Sequence, residues 1–172
     1  MGSEDISAEI KGYENLIAEQ FDILEILVKI SKKERDLILN ESLDALTSIT
    51  EEKEVVLDKF GLLEDKTRLL LQTMSQKLGI HSEKTNIQEI LPFIEAEDAA
   101  RIKRLLDGVK ILVGTAKELN LGNQALTAIR LDWLSATQSF ISTIIQRDDC
   151  YSMPMTNGMN RNLAISGLDF QA

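Results

Sequence analysis

Residues 98–147 read DAARIKRLLDGVKILVGTAKELNLGNQALTAIRLDWLSATQSFISTIIQR, and this stretch decides the fold. Its apolar residues recur at alternating spacings of three and four, which is the seam of a coiled-coil helix. Ten of the thirteen seam positions are apolar, and no proline interrupts them, so the stretch predicts one long helix. The seam positions are Ile102, Leu105, Val109, Leu112, Ala116, Leu119, Asn123, Leu126, Arg130, Trp133, Thr137, Phe140 and Ile144.

Two more long helices are predicted upstream, over residues 7–38 and 43–78. Gln20 is the one polar member of the first seam, and Lys53 and Thr67 are the polar members of the second. Gly79 supplies a stop for the second helix because glycine adopts the left-handed conformation that ends helices. Between the long helices, Thr85 or Asn86 caps a short helix over residues 87–91, which Pro92 then disturbs. We expect this segment to cross from one end of the bundle to the other.

The fold class that follows is all-α: an elongated antiparallel three-helix bundle, or coiled coil, with a short crossover helix. Residues 1–147 are predicted to form a single helical domain. Residues 148–172 contain turn residues and show no period, so they predict a flexible C-terminal tail.

Composition narrows the functional classes. The chain has 172 residues and a net charge of −9, which argues against nucleic acid as a partner because phosphate binding needs clustered Lys and Arg. The N-terminus lacks the basic and apolar regions of a secretory signal, and no stretch is apolar enough to insert into a membrane. We therefore expect a cytoplasmic protein.

The sequence offers no constellation of catalytic residues. His81 is the one histidine and has no carboxylate three residues before it, so it cannot form the metal-binding pair of a di-iron bundle. Cys150 is the one cysteine and has no second thiol or histidine near it. We expect no catalytic activity, no metal and no cofactor.

The long helix is unusual because residues 121–146 carry only two charges, those of Arg130 and Asp132, while 13 of the 26 residues are apolar. Small residues such as Gly108 and Gly122 follow one edge of the apolar band and would permit close approach by another chain. Two interpretations fit. The first two helices bury the whole band, or the band is an exposed site for an amphipathic helix.

The polar residues of this band also have two interpretations. Asn120, Asn123, Arg130 and Thr137 either set the register of the helices or contact a partner directly. A tryptophan in a helical seam is more often a core anchor than a binding platform, and Trp133 has both options.

Three stretches resemble the FlgN-type flagellar export chaperones. Residues 51–70, EEKEVVLDKFGLLEDKTRLL, are similar to the family's EK…LL…LE…R…LL run. Residues 118–126, ELNLGNQAL, resemble its EL-N-x-x-N-x-x-L signature. Tyr151, Gly158 and the SGLD of residues 166–169 look like its ending. The resemblance extends from about residue 13 to the end of the chain.

The resemblance implies a cytoplasmic chaperone that holds hook-associated proteins, the proteins of the hook–filament junction, before their secretion. Such a chaperone binds the helical C-terminal segment of its client, prevents premature assembly and assists delivery to the flagellar type III export gate. The residues implied for client binding are Asn120, Asn123, Leu126, Arg130, Trp133, Leu134, Thr137, Phe140, Ile141 and Ile144. Tyr151 is implied in docking to the export gate.

An alternative of a different class is a self-associating structural coiled coil without a secreted client. In that case the long helix completes a homodimer of the free protein. A chaperone would instead pass from its free form to a one-to-one complex with a client segment.

Overall fold

The computed structural model describes residues 6–40, 43–80 and 86–149. Its helices are α1 (Ser7–Leu39), α2 (Leu43–Lys77), α3 (Ile87–Ile90) and α4 (Ala96–Asp149), and the 3-10 turn Leu91–Phe93 follows α3 directly. These described residues contain no strand, so the predicted all-α helical bundle is confirmed. The three long helices begin and end within two residues of the predicted bounds. None of the described helices is long and apolar enough to cross a membrane.

The chain divides into two compact units, residues 1–130 and residues 131–172. Within the described part, the first unit holds α1 to α3 and the beginning of α4, and the second holds α4 from Leu131 onward. The predicted boundary at residue 147 stays a prediction. Most of the predicted tail, residues 150–172, lies outside the described residues, as do His81 and Cys150.

In the first unit, α1 and α2 pack side by side in opposite directions. Near the start of α1, Glu9 accepts a hydrogen bond from Lys77 at the end of α2, with 2.6 Å between Oε1 and Nζ. Near the end of α1, Glu34 pairs with Lys53 at 2.7 Å. These two ion pairs fix the antiparallel direction, because each brings the end of one helix to the beginning of the other.

The first part of α4 lies parallel to α1. Arg101 pairs with Glu14 at 3.0 Å, and further along Asn123 bonds to the carbonyl oxygen of Ser31 at 2.8 Å. Between these points Gly108 faces the ring of Phe21, and a Cβ there would lie 2.8 Å from Phe21 Cε2. Gly108 therefore permits the close approach of α1 of the same chain. The expectation that the small residues make room for another chain is wrong at this position.

The segment between α2 and α4 closes one end of the bundle. Gly79 ends α2 with a positive φ of 68°, as predicted, and the side chain of Asn86 caps α3 by accepting from Gln88 N–H. Ile90 and Leu91 then pack into the core beside residues from the start of α1. The expectation that this segment crosses between the bundle ends is wrong, because α2 already finishes beside the start of α1, where α4 begins.

Two apolar clusters form the core of the first unit. One fills the closed end and the other lies further along the three long helices. The first consists of Ile6, Ile10, Tyr13, Ile17, Met74, Ile87, Ile90, Leu91 and Ile102. The second consists of Leu24, Leu27, Val28, Ile30, Ile49, Val56 and Ala116. Most of these residues are seam positions, so the apolar periodicity of the sequence identifies most of the core. The seam positions among them are Ile6, Ile10, Tyr13, Ile17, Leu24 and Leu27 of the first helix, Ile49, Val56 and Met74 of the second, and Ile102 and Ala116 of the long helix.

The phenol of Tyr13 is buried in the first cluster, and this burial raises the pKa of Tyr13 to about 12. The unfolded chain ionises this phenol near pH 10, so the native state keeps its proton to higher pH. The stabilisation is therefore complete below pH 10 and is lost as pH rises toward 12. At 1.36 kcal/mol per pKa unit it amounts to about 2 to 3 kcal/mol.

We predict that Tyr13→Phe removes this part of the alkaline destabilisation. Urea unfolding at about pH 9, 10, 11 and 12 should show a shallower fall in unfolding free energy for Tyr13→Phe than for the unchanged protein. Lysine titration is common to both proteins and cancels in the difference. Parallel curves for the two proteins would contradict the assignment.

Candidate functional site

Polar residues that interrupt the apolar seams of the first unit pair with one another across helices. Gln20 donates from Nε2 to Thr67 Oγ1 at 3.0 Å, and Thr67 donates to the carbonyl oxygen of Leu63 at 2.7 Å. Gln20 and Thr67 are both buried. The two polar exceptions of the α1 and α2 seams thus satisfy each other inside the bundle.

A larger group, the Asn123 network, connects all three long helices. Its members are Ser31, Glu34 and Arg35 of α1, Lys53 of α2, and Asn120 and Asn123 of α4.

Asn123 uses both ends of its amide in this network. Its Nδ2 donates to Glu34 Oε2 at 2.7 Å and to Ser31 O at 2.8 Å. Its Oδ1 accepts from Arg35 Nε at 3.0 Å. Only 3% of Asn123 is exposed, so these bonds replace the water that the amide would bind in the unfolded chain.

Lys53 joins the network from α2. Its Nζ donates to Glu34 Oε2 at 2.7 Å and to Asn120 Oδ1 at 2.9 Å. The side chains of Lys53 and Glu34 are each 13% exposed, so the pair is largely desolvated and depends on these neutral partners. A Cβ at Gly122 would collide with Arg35 Nη2, so Gly122 makes room for the guanidinium beside α4.

This geometry favours the register-setting interpretation of Asn120 and Asn123. Both asparagines have their side chains engaged by α1 or α2. Direct contact of either residue with a client stays a prediction.

Two other implied site residues belong to the first unit. Arg130 donates from Nη2 to the carbonyl oxygen of Leu39, the last residue of α1, at 2.7 Å. A cation at this place satisfies a carbonyl that the helix leaves without an internal partner and complements the helix dipole. Leu126 is half-buried. We therefore expect a structural contribution from Arg130, whatever its role in binding.

The second unit presents a row of exposed apolar side chains on α4. We call these residues, Trp133, Leu134, Phe140, Ile141 and Ile144, together with the half-buried Thr137 between them, the exposed stripe. Its members repeat at intervals of seven: Trp133 with Phe140, Leu134 with Ile141, and Thr137 with Ile144. All the large members of the stripe are exposed, and Trp133 is 68% exposed. The interpretation in which the first two helices bury the whole band is wrong, and so is that of Trp133 as a core anchor.

The opposite face of this part of α4 is polar and carries little charge. Ser139, Ser142 and Thr143 donate their hydroxyl hydrogens to carbonyl oxygens four residues earlier in the helix, each at 2.9 Å. These hydroxyls are satisfied within their own helix. Asp132 is the one charged residue among residues 131–145. This helix segment is therefore amphipathic by its contrast of apolar with neutral polar side chains.

Sequence reasoning missed several residues that complete these sites. Ser31, Glu34 and Arg35 were not singled out, although they supply most of the partners of Asn123. The available signal was Lys53, a cation inside an apolar seam, because a charge at such a position needs an acidic partner nearby. Leu131 and Ile145 are exposed apolar residues of α4 outside the predicted set.

Two further predictions concern docking to the export gate and metal binding. Tyr151 lies outside the described residues. Within residues 6–40, 43–80 and 86–149, no group of three or more His, Cys, Asp or Glu side chains could hold a metal ion.

These features define a class: an all-α bundle protein with an internally paired polar core and an exposed apolar helix face. The sequence model of the family described as FlgN protein matches residues 9–157, and the chain belongs to this family. The family suggests a flagellar export chaperone. No curated protein and no solved structure matches the chain.

We predict that Asn123→Ala destabilises the protein by about 2 to 3 kcal/mol, because it removes the three hydrogen bonds that the buried amide makes with Ser31, Glu34 and Arg35. The control is Gln124→Ala, which removes an exposed amide from the next position and should cost less than about 0.5 kcal/mol. Urea unfolding followed by circular dichroism measures both. Equal losses for the two variants would mean that the network does not stabilise the bundle.

Proposed function

We propose that this chain is a cytoplasmic flagellar export chaperone that binds the C-terminal helical segment of hook-associated proteins. It keeps these clients from assembling prematurely and assists their delivery to the type III export gate. The observation that carries the proposal is the exposed stripe on α4, in a chain that belongs to the FlgN family. A row of large apolar side chains at heptad spacing is the surface that an amphipathic helix recognises.

The client-contacting residues in this proposal are those of the exposed stripe: Trp133, Leu134, Thr137, Phe140, Ile141 and Ile144. Asn120, Asn123 and Arg130 act from the first unit, where they hold α4 against α1 and α2. Leu126, half-buried, adds to the apolar surface of α4. Tyr151 is proposed to dock with the export gate.

The chemistry of the stripe suits reversible binding. Burying it against a client helix contributes about 25 cal/mol for each Å² of apolar surface removed from water. Apart from Asp132, the neighbouring polar residues are neutral, and the hydroxyls of Thr137, Ser139, Ser142 and Thr143 bond to their own helix, so these hydroxyls need no partner from the client. A segment of about three helical turns gives a modest interface, which a client can leave when export begins.

We predict that Phe140→Asp abolishes binding of a hook-associated C-terminal segment, because it places a charge within the apolar contact. The matched control is Ser139→Asp, which adds the same charge on the opposite, polar face of the same helix turn and should change Kd by less than about threefold. Both positions are exposed, so neither change should unfold the bundle. Titration calorimetry gives the affinities, and circular dichroism confirms the fold.

The same experiment distinguishes the alternative function. If no hook-associated segment binds and sedimentation shows a tight homodimer without a client, the chain is a self-associating coiled coil. If Ser139→Asp weakens binding as much as Phe140→Asp, the client does not recognise the exposed stripe.

A further inference from the structure

Thr137 lies at the centre of the exposed stripe and is its smallest side chain. Its four neighbours on the helix surface stand three and four residues before and after it, which are the positions adjacent to it on one helix face. These neighbours are Trp133, Leu134, Phe140 and Ile141. They are 51% to 68% exposed, whereas Thr137 is half-buried between them. Four large apolar side chains around a short one form a notch.

The hydroxyl at the floor of this notch needs no hydrogen-bond partner from outside the helix. Thr137 Oγ1 donates a hydrogen bond to the carbonyl oxygen of Trp133 at 2.9 Å, so the hydroxyl is already satisfied by its own helix. A β-branched residue in a helix has few χ1 rotamers available, and this bond selects among them. A group that enters the notch therefore does not have to supply a hydrogen bond.

The surroundings of the notch are uncharged. Ala136 and Gln138, the sequence neighbours of Thr137, are both exposed and neutral. The one charge among residues 131–145 is Asp132, which lies more than a full helical turn before Thr137. Shape and apolar contact, rather than charge pairing, would thus select what enters.

We propose that Thr137 is the floor of a recognition notch that receives one large apolar side chain, such as Leu, Met or Phe, from the client helix. The entering side chain packs over Thr137 and contacts the four large neighbours. Thr137 thereby sets the register of the client on α4. This inference rests on the proposed function, since it specifies which client side chains the stripe prefers.

The test uses Thr137→Leu, because a notch and a flat apolar surface predict opposite signs. On a flat surface the added leucine enlarges the apolar contact and tightens binding. In a notch the leucine occupies the space of the client side chain, and we expect binding of the hook-associated C-terminal segment to weaken about tenfold or more. Thr137→Ala keeps the notch open and should stay within about threefold of the unchanged protein.

A compensating change in the client identifies the entering side chain. Each large apolar residue of the client segment is replaced in turn by alanine, and each peptide is titrated against the unchanged chaperone and against Thr137→Leu. We expect one alanine-substituted peptide to bind the unchanged chaperone about tenfold more weakly than the original segment does. The same peptide should bind the Thr137→Leu variant at least as tightly as the original segment binds that variant. A double-mutant cycle of this kind reports direct contact between the two positions.

The outcomes separate the notch from the function on which it rests. If the original segment binds the unchanged protein and Thr137→Leu binds it equally well or more tightly, the notch is overturned while the chaperone function stands. If the segment does not bind the unchanged protein, the proposed function fails. Leucine is a better helix former than threonine and the site is exposed, so Thr137→Leu should fold, as circular dichroism would verify.

Discussion

One carboxylate oxygen connects the three long helices. Oε2 of Glu34 on α1 accepts hydrogen bonds from Lys53 of α2 and from Asn123 of α4, both at 2.7 Å. Apolar seams alone define the helix alignment only loosely, because a leucine tolerates many neighbours of similar size. A displacement of either partner helix by one turn would leave a desolvated charge or amide without its partner, which costs several kcal/mol. The Asn123 network therefore limits the first unit to one alignment.

This arrangement divides the polar and apolar roles of α4 in an unexpected way. In the first unit, polar residues such as Asn120 and Asn123 are turned to α1 and α2. In the second unit, apolar residues such as Trp133 and Phe140 are exposed. The two asparagines of α4 are thus satisfied inside the first unit, and the large apolar side chains of the exposed stripe are available for binding. Export chaperone function, as proposed, needs both properties in one helix.

The sequence predicted the helices well because their signals are local. Seam periodicity, the glycine at position 79 and the capping asparagine at position 86 each act within a few residues, and all three were confirmed. The partners of Asn123 could not be predicted, because a heptad position places a residue on a helix face without naming what lies opposite. The same limit explains Trp133, whose seam position is compatible with a core or with a surface. Whether the segment after α2 crosses the bundle depends on the end at which α2 finishes, and the tertiary packing determines this.

The exposed stripe also bears on how such a protein can change over generations. Substitution of an exposed side chain usually alters the unfolding free energy little, whereas changes in the Asn123 network or the two core clusters threaten folding itself. Residues 133–144 can therefore vary in size and shape while the bundle stays above its stability threshold. When a client acquires a different helical segment, substitutions within residues 133–144 can restore the fit, while the rest of the chain keeps the bundle folded.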